Sequence, residues 1–492
     1  MIARALIVIG LATSTLCVWT TYDPSERPLV AENQYYYFQA ERFASGVAPH
    51  VSTIDVKTAF GTMLSGSAIW LGRQFGLDDV MSARMATALA AAAAIALAWL
   101  LGTELTGNPW AALVAAAALL ATQGLFLEAA IGASVKVFLV ALLLAAHLFV
   151  AKRWYAASAV ASTLAMLTWQ PGLAIVGGCG LATLVDRRAR WSDVAAFVLA
   201  AASTVAAYEA YFFAQGALSA QLVQEWVESG SVVPAPLDVL AGLWFIVTES
   251  FVRQTQPHVA PIVFLTVGAV VCISAVARPR RAVEIARGHP GLVAFWSSAA
   301  VATAWTLRDH QSHPDMLFVQ PYSAVACAIA TAWVAVALRR LPRGSVAAAA
   351  VSAAAALAFV NDARQDAAAF PVRGTKLEDQ RALAKTVDIY RDHRGSVWVI
   401  GALHLLAFNH LDNHVSHGYL SPRLEAAYGF ATWRPLRDGR MPEIIIVTKR
   451  ILPGRRDWLS AEYQDITTIP FSRNQLRVFS RRHDSATIAD GQ

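Results

Sequence analysis

A chain of 492 residues that is 56% hydrophobic and 15% charged, with a mean hydropathy of +0.45, has too little polar surface to cover a soluble fold of its size. Its formal charge of +6 is carried by Arg and Lys clusters in short segments between apolar stretches, so the basicity marks membrane topology first and anionic lipid contact second, and no nucleic-acid partner is expected. The four cysteines, Cys17, Cys179, Cys272 and Cys327, lie inside apolar stretches without paired spacing, which argues against a disulfide framework or a cysteine metal site.

About ten uncharged stretches of roughly 15 to 23 residues recur along the chain, close to the ~20 helical residues that cross a ~30 Å bilayer core. None shows the alternation of a transmembrane barrel, so the fold class is an α-helical polytopic membrane protein. Residues 4–20 follow a single basic residue, Arg4. No A-x-A site follows them, and Leu16 before Cys17 spoils a lipobox, so they read as an uncleaved first helix.

Further spans are expected at about 81–101, 109–123 and 134–151. Residues 154–185 are uncharged and flanked on both sides by basic residues, which predicts a hairpin of two short helices turning at Trp169-Gln170-Pro171-Gly172. The basic loops 277–288 and 339–343 are each separated from the previous one by two apolar stretches, so all fall on one side. Keeping Arg4 on that side requires residues 57–76 not to cross. They are predicted as an amphipathic helix on the outer membrane face, which gives eleven spans. The outer segments are then 21–80, 124–133, the Trp169 turn, 214–256 and 307–314. Residues 1–360 form the membrane unit. Residues 361–492 form an outer α/β unit, with strands at "SVWVIG", "PEIIIVTKR" and "LRVFSRR" and a helix at "LEDQRALAKTVDIYRDH".

This topology gathers polar residues on the outer side: Glu32, Asn33, Tyr36, Asp55 and Lys57 from the first loop, Glu128 and Lys136 from the second, and Trp169 and Gln170 from the hairpin. Arg308, Asp309, His310, Gln311, His313 and Asp315 join them from "RDHQSHPD". Each has a plainer reading. Arg308 and Asp309 fit a solvated ion pair, Lys136 a snorkelling lysine, and the tyrosines at 35–37 an interfacial aromatic belt. His310 and His313 have metal spacing but no third ligand nearby in sequence. His404, His410, His414 and His417 make a zinc site conceivable, with His410 and His414 on one helix face, though a polar surface helix or loop explains them as well.

The order of these parts resembles GT-C superfamily glycosyltransferases, in the branch of protein O-mannosyltransferases and lipid A aminoarabinose transferases. The resemblance rests on Glu32-Asn33 in "AENQYYYFQAERFASGVAPH", the helix 57–76, Arg84 at the head of the second span, "LEAAIGASVKVFLVALLLA", "LTWQPGLAI" and "DHQSHPDMLFVQPYSAV", over about residues 1–340. Two departures are visible. Glu-Asn stands where the family commonly has Asp-Glu, and Lys136 stands where it has an acid.

The resemblance implies a bacterial inner-membrane enzyme whose site and C-terminal unit face the periplasm. It would move a sugar from a polyprenyl-phosphate donor to a lipid, glycan or protein acceptor. Glu32 is the first choice for general base and Asp55 the second. Lys57, Lys136 and Arg308 are the candidates for holding the departing phosphate. Asn33, Tyr36, Glu128, Trp169, Gln170, Asp309, His310, Gln311 and Asp315 are the candidates for holding substrate. A divalent metal stays open and no other cofactor is assigned; membrane lipids are the other expected partners, and the oligomeric state is left open. The rivals are a flippase of lipid-linked sugars, against which the absence of an internal repeat counts, and a non-catalytic assembly factor.

Overall fold

The computed structural model describes residues 2–30, 32–228, 259–308, 313–340, 342–369, 371–372, 374–388, 397–415, 436–448, 457–466 and 476–482. After α1 (Ile2–Thr20), the first loop holds two helices, α2 (Glu32–Ala44) and α3 (Phe60–Gln74). The second is the helix expected at 57–76. Its small residues let it approach its neighbours closely: a Cβ on Gly66 would lie 2.6 Å from the Phe43 ring, and one on Gly72 would lie 2.0 Å from Ser82 Oγ. The opposite side leaves Trp70, Leu71 and Phe75 exposed. The helix is thus clamped between α2 and the long α4 (Asp79–Thr106), whose first turn is capped by the Asp78 carboxylate accepting from Met81 N–H at 3.0 Å.

Next come α5 (Pro109–Leu120) and α6 (Gln123–Ile131), bent by 53° at the intervening break. The second of these falls on the stretch 124–133, read from sequence as an outer segment, and is helical. Apart from Glu128 the stretch is uncharged, so it packs as a buried helix rather than meeting water. It ends at Gly132, whose φ of +89° is left-handed and whose missing Cβ leaves room for Arg84 Cγ at 2.5 Å. The buried Arg84 guanidinium donates to the carbonyls of Ile131, at 3.0 Å, Arg27 and Pro24, tying the first loop to the end of α6.

The expected hairpin is present. After α7 (Val135–Ala151), α8 (Tyr155–Thr168) and α9 (Leu173–Val185) are joined by extended Trp169 and a 3₁₀ turn at Gln170–Gly172. The chain continues through α10 (Trp191–Ala214), α11 (Leu218–Leu222), a π-helical turn Val223–Glu228, α12 (Val259–Ala277), α13 (Pro279–Gly288), α14 (Pro290–Arg308), a 3₁₀ turn His313–Phe318, α15 (Gln320–Leu338) and α16 (Gly344–Ala369). Among the described residues six helices are long and apolar enough to cross a bilayer, seven if the bent pair is one span, with three shorter apolar helices at Val135–Ala151, Tyr155–Thr168 and Gln170–Val185. Length and composition therefore single out fewer spans than the eleven expected. The short helices are buried by their neighbours, which lets helices of 13 to 17 residues persist inside the bundle.

The C-terminal residues add α17 (Leu377–Asp388), β1 (Val397–Ile400), α18 (His404–Phe408), β2 (Ile444–Thr448), α19 (Asp457–Glu462), β3 (Tyr463–Asp465) and β4 (Leu476–Arg481). The sheet order is β1-β2-β4-β3; β1 and β2 run parallel with Val397 opposite Ile444, and the other pairs are antiparallel. Three of the strands are those read from sequence. The short β3 was not foreseen, because "YQD" carries no apolar alternation. Of the expected helix 377–393, residues 377–388 are helical and the remainder lies outside the described residues.

Candidate active site

The first turn of α2 faces the heads of α7 and the hairpin. Gly61 of α3, whose added Cβ would lie 2.8 Å from Val135 and 3.0 Å from Thr168, fixes how closely these parts meet. Here Glu32 Oε2 accepts from Lys57 Nζ at 3.0 Å and from the Tyr36 hydroxyl at 3.2 Å, and lies 4.0 Å from Lys136 Nζ. Lys57 Nζ also donates to Tyr36 Oη at 2.8 Å. Lys136 is not a snorkelling lysine: only 5% of its side chain is exposed, it donates to Asp315 Oδ1 at 2.6 Å, and its ammonium stands 5.3 Å from the Trp169 ring centre. Two cations from separate stretches of chain thus converge on one carboxylate that keeps 44% of its side chain exposed.

The other predicted residues take distinct positions. Asn33 Nδ2 donates to Glu128 Oε2 at 3.2 Å, both side chains buried, while the buried Asn33 Oδ1 has no partner among the described residues. Asp55 does not reach Glu32 through a hydrogen bond; its carboxylate accepts the Lys57 backbone N–H at 2.9 Å and shapes the turn that presents the lysine. Gln170 Nε2 is committed to the carbonyls of Val56, at 2.6 Å, and Glu225, at 3.3 Å. Arg308 closes α14, and neither its side chain nor that of His313 lies within what is described; Asp309, His310 and Gln311 fall wholly outside the described residues.

A supporting network escaped the sequence reading. His50 offers Nε2 to Glu225 Oε1 at 2.8 Å and Nδ1 to Gln224 Oε1 at 3.0 Å, so both ring nitrogens meet acceptors. Gln224 also accepts from Asp55 N–H at 2.9 Å and donates to the His50 carbonyl at 3.0 Å, while Tyr208 and Gln221 donate to the Glu225 carboxylate at 2.5 and 2.7 Å. The one local signal was the run of hydrogen-bonding side chains in "QLVQEWVE", which is unusual beside an apolar helix.

The charges follow from these contacts. The Lys57 ammonium, aided by Lys136 and the Tyr36 hydrogen bond and opposed by burial, holds Glu32 down to about 2. Burial opposes the charge on Lys57, but Glu32, Tyr36 and Asp55 outweigh it and keep its pKa above that of an ordinary lysine. Burial raises Asp55, against His50 and Lys57. Burial also works against the His50 cation, yet Glu225 overcomes it and the net shift is upward.

Among the described residues, His404, His410 and His414 do not form one cluster. His404 is buried, and burial pushes it down to about 3. His414 Nε2 contacts the Arg440 carbonyl at 3.0 Å, and His410 Nδ1 meets Glu41 Oε1 at 2.8 Å. His410 and His414 do not share a helix, because α18 ends at Phe408. His417 is outside the described residues. Glu41, Asp79 and His410 lie close enough together to share an ion, but the Arg73 guanidinium already takes Glu41 and Asp79 at 2.7 Å each. At Glu32 the two ammoniums supply the positive charge. Neither donor set among the described residues therefore fits a divalent metal.

No protein-family model matches the chain, and no curated protein matches it in sequence. Solved structures do match in shape. The ArnT of Cupriavidus metallidurans bound to undecaprenyl phosphate superposes with a TM-score of 0.59 at 15% identity, over 96% of this chain and 97% of its own. The same protein in its apo state gives 0.53 at 15% identity, over all of both chains. This chain has the GT-C fold. The Archaeoglobus fulgidus oligosaccharyltransferase in complex with zinc and sulfate is similar at a TM-score of 0.50 and 13% identity, covering 88% of this chain and 67% of that one. The GT-C fold makes the chain a multi-pass membrane protein, and the helical first loop, the bent helix pair and the hairpin are the parts that assemble around Glu32.

Proposed function

We propose that this chain is an integral membrane glycosyltransferase that moves a sugar from a polyprenyl-phosphate donor to an acceptor hydroxyl on a lipid, glycan or protein. In this reading it sits in a bacterial inner membrane, with the Glu32 site and residues 361–492 facing the periplasm. The GT-C fold over the whole chain, shared with a protein crystallised with undecaprenyl phosphate, supports the donor class. The observation that carries the reading is the Glu32 carboxylate set between the ammoniums of Lys57 and Lys136, at 3.0 and 4.0 Å.

Transfer requires the acceptor hydroxyl to attack the anomeric carbon as the sugar–phosphate bond breaks, the proton passing to a base and the electron pair to the phosphate oxygen. Lys57 and Lys136 supply cations for that phosphate in a partly buried setting where charge interactions are strong. As they turn toward the lipid phosphate, Glu32 loses the partners that depress its pKa and becomes a competent base. Asp55, Gln170 and the His50–Glu225 pair are positioning groups that hold the Lys57 turn. Asn33, with its buried and unpartnered carbonyl oxygen, and Trp169, beside the Lys136 ammonium, are the candidates for contacting acceptor and sugar.

The test compares purified wild type and Glu32→Gln on a panel of polyprenyl-phosphate sugars, with chromatographic analysis of lipid-linked products. A loss of about 10²- to 10⁴-fold in turnover at unchanged thermal stability is expected for a general base. Equal transfer by both proteins removes Glu32 from the mechanism.

A further inference from the structure

The helices run between two ends. α8 and α14 begin at the end opposite Glu32 and finish beside it, so the far end lies about 28 Å away for a helix of 19 residues rising ~1.5 Å each. At that far end an apolar groove of about 980 Å³ opens between α4, α12, α13, α14 and α15. Leu105, Ile273, Trp296, Ile329, Trp333 and Val336 are among its walls, and Arg278 and Arg281 stand in its lining, which includes no carboxylate.

The element carrying the arginines explains how they reach this place. In α13, "PRRAVEIARG", Pro279 starts the helix just after Arg278, and no residue of the helix is buried. It is anchored rather than loose: Arg153 donates to the Gly288 carbonyl at 3.0 Å, and Arg187 N–H donates to the Arg287 carbonyl at 3.1 Å. The guanidiniums of Arg278 and Arg281 are exposed and have no hydrogen bond or ion pair with another described residue. An apolar groove of this size on a membrane protein gains contact along its wall when an acyl chain fills it. The uncompensated cations at its mouth then choose the headgroup.

We propose that this groove is a binding site for an anionic membrane phospholipid, with its acyl chain between α12, α14 and α15 and its phosphate on Arg278 and Arg281. The site is separate from the donor site and independent of the proposed transferase activity. Basic pockets between membrane helices recognise anionic headgroups in this way.

The test uses the Trp residues of the groove as reporters. The full chain is placed in liposomes of equal parts phosphatidylglycerol and phosphatidylcholine, with the acyl chains of one or the other lipid brominated. Quenching of Trp333 is read as the difference between wild type and Trp333→Phe. Brominated phosphatidylglycerol is expected to quench more, with a preference that falls about five-fold for each guanidinium removed in Arg278→Gln and Arg281→Gln and weakens at high salt. Arg278→Lys/Arg281→Lys should retain most of it. Arg187→Gln/Arg188→Gln, at the same end but outside the groove lining, should leave it unchanged. Equal quenching by the two lipids, or an equal loss in the Arg187/Arg188 variant, overturns the site, the latter by showing a diffuse basic belt instead.

Discussion

Glu32 owes its charge to Lys57 more than to its own surroundings, and that dependence is measurable. Its folded pKa of about 2 lies below the unfolded carboxylate range near ~4.3, so its stabilising contribution is present above ~4.3 and is lost as pH falls toward 2. If Glu32 is the base, the acid limb of kcat/KM in the wild type lies far below neutrality. In Lys57→Met that limb should move upward toward the ordinary carboxylate range while the rate drops about 10²-fold or more, read from a pH–rate profile. His50 has the opposite sign. Its folded pKa is raised, so the stability from its pair with Glu225 is full below ~6.5 and is lost as pH rises through the folded value. Thermal unfolding from pH 6 upward, on a scale set by that ~6.5 reference, should show a decline in the wild type that His50→Gln lacks. The lysines, acids and tryptophan of this site were legible in the sequence because charge counting and the GT-C resemblance brought their segments together. The pairing of His50 with Glu225 was not, since the partners are 175 positions apart and Glu225 belongs to no motif.

Helix junctions decide where these side chains point, and they divide by how much of their physics is local. The Trp169–Gly172 turn was readable because Pro171 and Gly172 end one helix and permit the next within four residues. The bend between α5 and α6 was not, because no proline marks it and the uncharged run continues through it. Its far end is set by a tertiary contact, the Arg84 side chain packed where a Cβ at Gly132 would stand, 2.5 Å away. Gly132→Ala should therefore combine left-handed strain with a clash, costing about 1–3 kcal/mol and shifting Glu128 and Lys136 on either side. Gly107→Ala is the comparison: its φ is also positive, at +63°, but nothing lies within 4 Å of the added Cβ, so about 1 kcal/mol is expected. The two are separated by thermal unfolding in detergent, and only the first should also lower sugar transfer.

The membrane helices and the C-terminal sheet were each visible in the chain as patterns, one of long apolar runs and the other of short β-branched strands. What joins them was not, because the joining groups are single polar side chains of ordinary composition. α2 is the shared piece. Its first turn carries Glu32, Asn33 and Tyr36, and its last carries Glu41 and Arg42, which meet His410 at 2.8 Å and Asp412 at 2.6 Å. The exposed member of each pair contributes little by itself. The buried contact just before α2 differs: Gln380 of α17 accepts from Leu29 N–H at 2.9 Å and donates to the Leu29 carbonyl at 2.8 Å, closing both backbone groups at the entry to the helix. Gln380→Leu would leave that N–H buried without its partner, at a cost of about 1–3 kcal/mol, while the Leu29 carbonyl keeps its hydrogen bond from Gln34 Nε2 at 2.9 Å. Hydrogen exchange at the Leu29 amide should speed up, and sugar transfer should fall through loosened placement of Glu32 while its acid limb stays where it was. A Gln380→Leu protein with unchanged exchange at Leu29 and unchanged transfer would show that the C-terminal residues sit on α2 without holding it.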